Sequence, residues 1–247
     1  MDFSCKPRLM DLALNPKLDR AALARSYAAR KRLQIRDVLA PDAAERVFQC
    51  LATETPWLIG FRDGNRDLLM PEADLNALGE DKLFAMQERV LAQAANDFQF
   101  IYSSYPLMDE GLKARFPSLV LYKVVELLNS PAMLDFIKAV AGVGNLVRAD
   151  AQATWYRRQN FLTLHNDYDP ADGGKRVAYV LSFCRDWRPD WGGLLQFFDA
   201  DNNVEEGFLP RFNALSLFTT PQNHAVSFVT PFCGQRRLAI TGWFRDR

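Results

Sequence analysis

The spacing of hydrophobic positions along the chain changes near residue 145. Before that point, apolar residues recur every three or four positions in three stretches, which are 41–57, 80–100 and 130–142. The third stretch begins with Ser130 and Pro131, which are typical of a helix N-cap and first turn, and it ends at Gly142, a typical stop. The pattern therefore predicts helices in the first part of the chain.

After residue 145 the apolar runs shorten and take on strand character, in VRADAQATWYR, FLTLH, RVAYVLSFC, GLLQFFD, NALSLFT, AVSFV and RLAITGWFR. Clusters of Gly, Pro, Asn and Asp separate these runs and indicate turns. Seven or eight short strands predict an antiparallel sandwich or jelly roll, backed by the helices. With neither a linker nor a repeat in the sequence, we predict a single domain over 1–247. In it, 1–145 is mostly a helical flank and 146–247 is the jelly-roll core.

Charge and cysteine content narrow the class of protein. Thirty basic residues balance thirty acidic ones, so no global field favours nucleic acid or an anionic membrane, although a local basic patch is compatible with this balance. The chain has no apolar run of 18 residues and no signal-peptide core near its start, and we therefore expect a cytoplasmic protein. The four cysteines are far apart, which predicts reduced thiols and no zinc site; they are Cys5, Cys50, Cys184 and Cys233.

The chain has two histidines, and both lie at the end or start of a predicted strand. His165 ends the run FLTLH, and Asp167 follows two residues later. Positions i and i+2 of a strand point to one side, so both side chains can reach one ion. His224 is the histidine that remains to complete the set. Two imidazoles and a carboxylate suit Fe(II) and leave three coordination positions open, which predicts a metal site at these three residues.

Arg237 begins the last strand run, thirteen residues after His224, and shares a strand face with Thr241 and Trp243. Arginine binds a carboxylate through two parallel hydrogen bonds, so Arg237 is a candidate anchor for the far end of a dicarboxylate whose 2-oxo acid end chelates the metal. Thr241 and Trp243 are then expected to line the wall. Arg236 is the alternative anchor, but strand alternation points it to the opposite face.

In this order, HND at 165–167, His224 and RLAITGWF at 237–244 resemble the HxD…H…R signature of Fe(II)/2-oxoglutarate-dependent dioxygenases. Within this superfamily the chain is most similar to prolyl 4-hydroxylases. The shared runs are RVAYVLSFCRDW, WGGLLQFFD, PRFNALSLFTTPQNHAV and RRLAITGWFR. Among these enzymes, the nearest likeness is to the catalytic domain of Tpa1/Ofd1-type prolyl hydroxylases, which act on a ribosomal protein. The resemblance covers about 115–247. Enzymes of that type carry a second, non-catalytic domain, for which this chain is too short.

The resemblance implies a mainly β fold with a helical flank, in which a double-stranded β-helix (jelly roll) packs against N-terminal α-helices. It implies Fe(II) bound by the two histidines and Asp167, and 2-oxoglutarate bound through its C5 carboxylate by Arg237. Tyr156, nine residues before His165, matches a tyrosine that contacts the cosubstrate. The remaining implied cofactors are O2 and, in a supporting role, ascorbate.

The same resemblance implies hydroxylation of a C–H bond, with succinate and CO2 as coproducts. The implied substrate is a prolyl residue of a protein or peptide, ribosomal or translation-related, without direct contact to nucleic acid or membrane. Asp167 favours hydroxylation, because related halogenases have Gly or Ala at that position. The sequence predicts no oligomeric state.

Two alternatives remain open from the sequence. One is a hydroxylase of a free amino acid or another small molecule. The other is a non-catalytic jelly-roll module that binds metal or acts as a sensor. Cupins of that second class usually use three histidines and a glutamate, whereas this chain has two histidines. An inactive relative is expected to have lost a ligand or the arginine, and neither is missing here.

Overall fold

The computed structural model describes residues 12–168, 170–171 and 173–247. In the described part, a π-helical turn at Cys50–Glu54 and a 3-10 turn at Pro189–Trp191 accompany seven α-helices. The helices are α1 (Arg20–Arg30), α2 (Pro41–Gln49), α3 (Glu72–Asn76), α4 (Glu80–Ala94), α5 (Glu110–Arg115), α6 (Leu121–Leu128) and α7 (Pro131–Ala141). The predicted start and stop signals of α7 are confirmed: the Ser130 hydroxyl accepts from the Met133 N–H, and Gly142 is left-handed.

The strands form one antiparallel sheet that folds over on itself. They are β1 (Arg32–Arg36), β2 (Leu58–Asp63), β3 (Arg66–Pro71), β4 (Phe100–Pro106), β5 (Arg148–Ala149), β6 (Gln152–Tyr156), β7 (Phe161–His165), β8 (Lys175–Phe183), β9 (Leu195–Phe198), β10 (Val204–Phe208), β11 (Phe212–Thr219), β12 (His224–Val226) and β13 (Arg237–Arg245). Their order is β1-β11-β8-β13-β6-β4-β7-β12-β9-β10, with β2 and β3 attached through β4, and β5 through β13.

Strand β4 turns the corner between the two layers. Its C-terminal part, Ser103–Pro106, pairs with β6, whereas Phe100 and Ile101 pair with β7. One layer is therefore β1-β11-β8-β13-β6 and the other is β7-β12-β9-β10, and the pair makes a nearly closed, jelly-roll-like barrel. This confirms the predicted fold class.

Alternation along β8 and β13 separates a helix-covered face from a cavity face. Val177, Leu181 and Ile240 point outward into a core shared with residues of α6 and α7. Val180 and Thr241 point the other way, into the cavity between the layers. Because successive strand residues alternate faces, one strand supplies both the packing that stabilises the barrel and the lining of its interior.

The first part of the chain differs from the sequence prediction in two respects. Four strands, β1 to β4, lie within the predicted helical flank, and β1 and β4 belong to the main sheet path, so residue 145 is no boundary in the sheet. The helical stretch predicted over 80–100 ends at Ala94, and Phe100 begins β4. Strand β10 was not predicted either, because its sequence VEEGF is short and polar.

The described helices include none that is long and apolar enough to cross a bilayer. Cys50, Cys184 and Cys233 are buried free thiols, as expected from their spacing. Cys5 lies outside the described residues.

Candidate metal centre

Strands β7 and β12 place the two histidines side by side. The strands are antiparallel, and His165 lies directly opposite His224 in their register. The centroids of the two imidazole rings are 4.1 Å apart. Pairing of two distant chain segments therefore creates the site, and the second histidine is brought to the first by the sheet itself.

Each imidazole is fixed by a backbone carbonyl two residues earlier. His165 Nδ1 lies 2.9 Å from the Thr163 carbonyl oxygen, and His224 Nδ1 lies 2.8 Å from that of Gln222. A carbonyl oxygen only accepts, so Nδ1 carries the proton in both rings. In the neutral ring Nε2 is then the unprotonated nitrogen, as a metal ligand requires, and the ring orientation is set by the hydrogen bond on its far side.

Asp167 brings the carboxylate between the two Nε2 atoms. It follows β7 in a left-handed conformation, with φ of 62°. Its Oδ1 lies 3.4 Å from His165 Nε2, and its Oδ2 lies 3.6 Å from His224 Nε2. The Trp243 indole N–H donates to Oδ2 at 2.9 Å, which fixes the carboxylate from the side of β13. The turn after β7 thus aims Asp167 back at the histidines that precede and face it.

Electrostatics favours the metal-binding protonation states. Burial and then the neighbouring His165 lower the pKa of His224 to about 4, against the opposing effects of Asp167 and the Gln222 carbonyl. Burial acts to raise the pKa of Asp167, but its contacts with His165, His224 and the Trp243 N–H hold it below its ordinary value. At neutral pH His224 is therefore a neutral imidazole and Asp167 a carboxylate.

The donor set fits a divalent iron ion. One ligand atom from each of His165, Asp167 and His224 lies within 4.8 Å of the others, and within the described ranges this is the one such group of His, Cys, Asp and Glu side chains. Two imidazole nitrogens and one carboxylate oxygen on one side of an ion form the facial arrangement typical of non-haem Fe(II). The three predicted ligands are thus brought together.

Arg237 lies deep in the same cavity. Its side chain is 2% exposed, its Nε donates to the Gly193 carbonyl at 2.5 Å, and its guanidinium stacks over the Tyr156 ring at 4.5 Å. No described carboxylate lies within ion-pairing distance of Arg237. Burial therefore lowers its pKa, with the neighbouring Tyr156 and Cys184 acting in the opposite sense. A buried, uncompensated guanidinium is costly, which favours an anionic ligand as its partner.

Gly193 makes room for this arginine. A Cβ at position 193 would lie 2.8 Å from Arg237 Cδ and 3.2 Å from the Trp187 ring, and the backbone there has φ of 64°. Both features require glycine, because an L side chain would meet the arginine and would be strained. The sequence WGG therefore shapes the arginine end of the cavity.

One cavity of about 230 Å³ unites all the predicted residues. Its lining includes the ligands and the candidate cosubstrate residues, namely His165, Asp167, His224, Arg237, Tyr156, Thr241 and Trp243. Arg236 is not among them, since it points to the outer face and its guanidinium stacks over the Trp155 ring. The geometry thus favours Arg237 over Arg236 as the anchor inside the cavity.

The three wall residues have different surroundings. Tyr156 is buried and stacks on Tyr102, with ring centroids 4.8 Å apart, and burial raises its pKa well above the ordinary value. Thr241 is half-buried on the cavity face of β13. Trp243 binds Asp167 directly, so it orients a metal ligand and is more than part of the wall. Contact of these residues with a cosubstrate stays a prediction.

Strand β4 and the residues just before it also line the cavity, which the sequence pattern did not predict. Phe98, Phe100 and Tyr102 line the cavity, and the Phe98 ring lies 5.3 Å from that of His165. Aromatic residues at i, i+2 and i+4 have the period of a strand, and this signal was hidden by the helical pattern read through to Phe100. Asp67 on β3 also lines the cavity, but no feature of its sequence surroundings indicates it.

Comparison with known proteins agrees with this geometry. Residues 151–245 match the family model of the 2OG-Fe(II) oxygenase superfamily. The curated proteins similar to this chain include Prolyl 3-hydroxylase OGFOD1 of Mus musculus, 28% identical over 116 residues, which are 44% of this chain and 21% of that protein. The same protein of Xenopus laevis is 29% identical over 120 residues, 44% of this chain and 23% of that protein. The chain thus matches about a fifth of the length of these relatives.

Solved structures share the fold over most of the chain. A Pseudomonas putida prolyl-4-hydroxylase has a TM-score of 0.58 at 20% identity, covering 92% of this chain and 99% of that one. A prolyl hydroxylase from Trichoplax adhaerens, in complex with a hypoxia inducible factor peptide fragment, has a TM-score of 0.53 at 16% identity, covering 92% and 89%. These structures show the fold, and the sequence matches to the family model and to the curated relatives confirm the predicted resemblance to prolyl hydroxylases.

Proposed function

We infer, from the match of residues 151–245 to the family model of the 2OG-Fe(II) oxygenase superfamily, that this protein is an Fe(II)- and 2-oxoglutarate-dependent hydroxylase. Its proposed substrate is a prolyl residue of a protein or peptide. The observation that carries the proposal is one cavity with a histidine–aspartate–histidine ligand set and a buried arginine that lacks a carboxylate partner among the described residues. A 2-oxo dicarboxylate has two ends that match these two features.

The ligand residues prepare the cavity before any ion enters. The Thr163 and Gln222 carbonyls fix the tautomer of the imidazoles, so Nε2 is the ligand nitrogen of each neutral ring. Trp243 holds Asp167, the one negative ligand, in place. Bound Fe(II) would supply the activation of O2, coupled to oxidative decarboxylation of 2-oxoglutarate to succinate and CO2.

Arg237 determines which acid fits. Its guanidinium is held by Gly193 and Tyr156, so its remaining N–H groups are fixed in direction. A carboxylate bound there gains charge-assisted hydrogen bonds to a buried guanidinium. Because Arg237 and the ligand set line the same cavity, a dicarboxylate can contact the arginine at one end and present its 2-oxo acid at the other. This arrangement supports 2-oxoglutarate over a monocarboxylic 2-oxo acid.

Two observations support a prolyl substrate. The similar curated proteins are named prolyl 3-hydroxylases, and the structural neighbours include prolyl 4-hydroxylases and a complex with a peptide. The cavity wall formed by Phe98, Phe100 and Tyr102 offers aromatic faces of the kind that proline-rich segments contact. The relatives differ in the ring carbon named, so the proposal covers hydroxylation at either position.

The test uses purified protein with Fe(II), 2-oxoglutarate and lysate from a strain that lacks it. Mass spectrometry compares tryptic peptides and free metabolites with and without enzyme, and fragmentation locates the added oxygen. We expect prolyl peptides that gain one oxygen, together with succinate. The control variant His165→Ala is expected to give neither. If only free small molecules gained oxygen, the substrate would be a metabolite and not a peptide. Succinate without any oxidised product would refute a peptide and a small-molecule substrate alike.

A further inference from the structure

A second cavity lies on the outer face of β6 and β13, behind the metal centre. Its volume is about 740 Å³, against about 230 Å³ for the metal-centre cavity. Trp155 and Arg236 line it, and each is the chain neighbour of a residue in the inner cavity, Tyr156 and Arg237. Residues of α2, the π-helical turn and the segment before β13 complete its wall. We call it the arginine cavity.

Its lining is strongly basic. Four arginines line it and no aspartate or glutamate does, as far as the described residues show; they are Arg157, Arg158, Arg185 and Arg236. Arg157 forms a two-pronged bond to Glu72, at 2.7 and 2.9 Å, and Arg185 pairs with Glu45. Arg158 and Arg236 have no described carboxylate within 4.0 Å. Within the described part of the chain, two positive charges of the cavity therefore have no counter-charge.

These two guanidinium groups are already oriented. The Arg158 Nε donates to the Cys233 carbonyl at 2.8 Å, which leaves both terminal amino groups for a ligand. Arg236 stacks over the Trp155 ring at 5.1 Å, and its Nη1 donates to the Ala52 carbonyl. Fixing a long side chain in advance removes much of the entropy cost of binding.

The surroundings favour a phosphoryl group over an aromatic ligand. The Trp155 ring is contacted by Arg157 at 4.2 Å as well as by Arg236, and Arg185 stacks over the Phe48 ring at 4.9 Å. The aromatic faces are thus used by guanidinium groups and are not available to stack on a base. Planar arginine forks match the tetrahedral oxygens of a phosphate, and two net charges match a dianion.

We propose that the arginine cavity is a binding site for the phosphoryl dianion of an organic phosphate, held by Arg158 and Arg236. The ligand sits on the opposite face of β6 and β13 from the metal centre. The site is separate from the proposed oxygenase chemistry, and its test requires neither iron nor 2-oxoglutarate.

Isothermal titration calorimetry in a phosphate-free chloride buffer tests the site with three probes: inorganic phosphate, glycerol 3-phosphate and a phosphoserine peptide. Succinate serves as a dicarboxylate comparison. We expect saturable binding of at least one organic phosphate to the wild type. Arg158→Gln and Arg236→Gln are each expected to weaken it at least about tenfold, because each removes hydrogen bonds to a charged group. Preference for glycerol 3-phosphate or for the peptide identifies the source of the phosphoryl group.

Arg115→Gln is the matched control, since Arg115 also stacks on a ring, that of Phe116 at 5.3 Å, but lies outside the cavity. It is expected to bind as the wild type does. Arg158→Lys keeps the charge without the fork and is expected to give intermediate affinity. Thermal unfolding checks that every variant is folded. The proposal would be overturned if the wild type showed no saturable binding of an organic phosphate, or if the glutamine variants bound it as tightly as the wild type. It would also be overturned if the glutamine variants lost succinate binding as strongly as phosphate binding.

Discussion

The metal-binding atoms of His165, Asp167 and His224 are positioned by hydrogen bonds made away from the cavity. Backbone carbonyls orient both imidazoles, and the Trp243 indole orients the carboxylate. Such partners set ligand direction and basicity, and their loss typically costs about 10- to 100-fold in metal affinity or activity. Residues that do not contact the ion are therefore part of the site.

Trp243→Phe removes the indole N–H and retains most of the ring. The Asp167 Oδ2 then loses its 2.9 Å donor, and the carboxylate gains rotational freedom. We expect Fe(II) affinity to fall about tenfold. The thermal midpoint is expected to change little. Fluorescence-competition titration of the metal measures the effect. An unchanged affinity would mean that the packing around Asp167 orients it without the indole.

Arg237→Ala tests the anchor, with Arg236→Ala as the neighbour on the opposite face. We expect the Arg237 variant to raise the apparent KM for 2-oxoglutarate about 10- to 100-fold, because hydrogen bonds to charged groups contribute about 1.5–3 kcal/mol. Iron binding should be retained, since Arg237 is not a ligand. The Arg236 variant should keep the wild-type KM. A larger KM change in Arg236→Ala than in Arg237→Ala would transfer the role to Arg236.

Strands β7, β12 and β13 carry the site, and each was predicted from its apolar run and turn residues. The fold of the C-terminal part could be predicted because short period-2 runs separated by turns leave few alternatives. The N-terminal strands could not, since β1 and β4 are stabilised by pairing with β11, β6 and β7, which are distant in sequence. Local propensity does not report such partners.

The same distinction applies to the candidate site. The histidines and Asp167 could be predicted because few residue types bind iron and the chain has two histidines. The hydrogen bond from Trp243 to Asp167 could not, because 76 residues separate them and the sheet alone brings them together. Phe98 was missed for a related reason, since its contact with His165 depends on where β4 crosses between layers.

Gly242 on β13 allows a close approach to the segment before β6. A Cβ at this position would lie 2.2 Å from the Asp150 carbonyl oxygen, so the backbone of one segment must move. We expect Gly242→Ala to lower the free energy of unfolding by about 2 kcal/mol or more. Gly207→Ala on β10 is the control, because nothing lies within 4 Å of its Cβ. Urea unfolding of both variants measures the difference, and equal stabilities would contradict this account of Gly242.

The two ends of the sheet are joined by side chains and not by a strand ladder. Arg32 of β1, the first strand in the order, is 5% exposed and donates to Glu205 and Glu206 of β10, the last strand, each at 2.7 Å. Its guanidinium also lies over the Phe197 ring at 4.9 Å. The barrel is thus closed by one arginine and two carboxylates, which ties the first part of the chain to the last.

Arg32→Ala is expected to destabilise the protein by about 2 kcal/mol, because it removes a buried guanidinium that pairs with Glu205 and Glu206 and packs over the Phe197 ring. Arg30 also pairs with Glu206, but its side chain is 66% exposed, so Arg30→Ala is expected to cost less than about 1 kcal/mol. Denaturant unfolding at equal ionic strength compares them. If Arg30→Ala lowered the free energy of unfolding as much as Arg32→Ala, the closure of the barrel would not depend on the buried arginine.

The central claim is that His165, Asp167, His224 and Arg237 form one site for Fe(II) and 2-oxoglutarate. Its most direct test is anaerobic addition of Fe(II) and then 2-oxoglutarate to the purified protein, followed by visible absorption. We predict a weak charge-transfer band in the wild type and in Arg236→Ala, and no band in His165→Ala or His224→Ala, with the latter two still folded by circular dichroism. A band of wild-type intensity in either histidine variant would contradict the assignment.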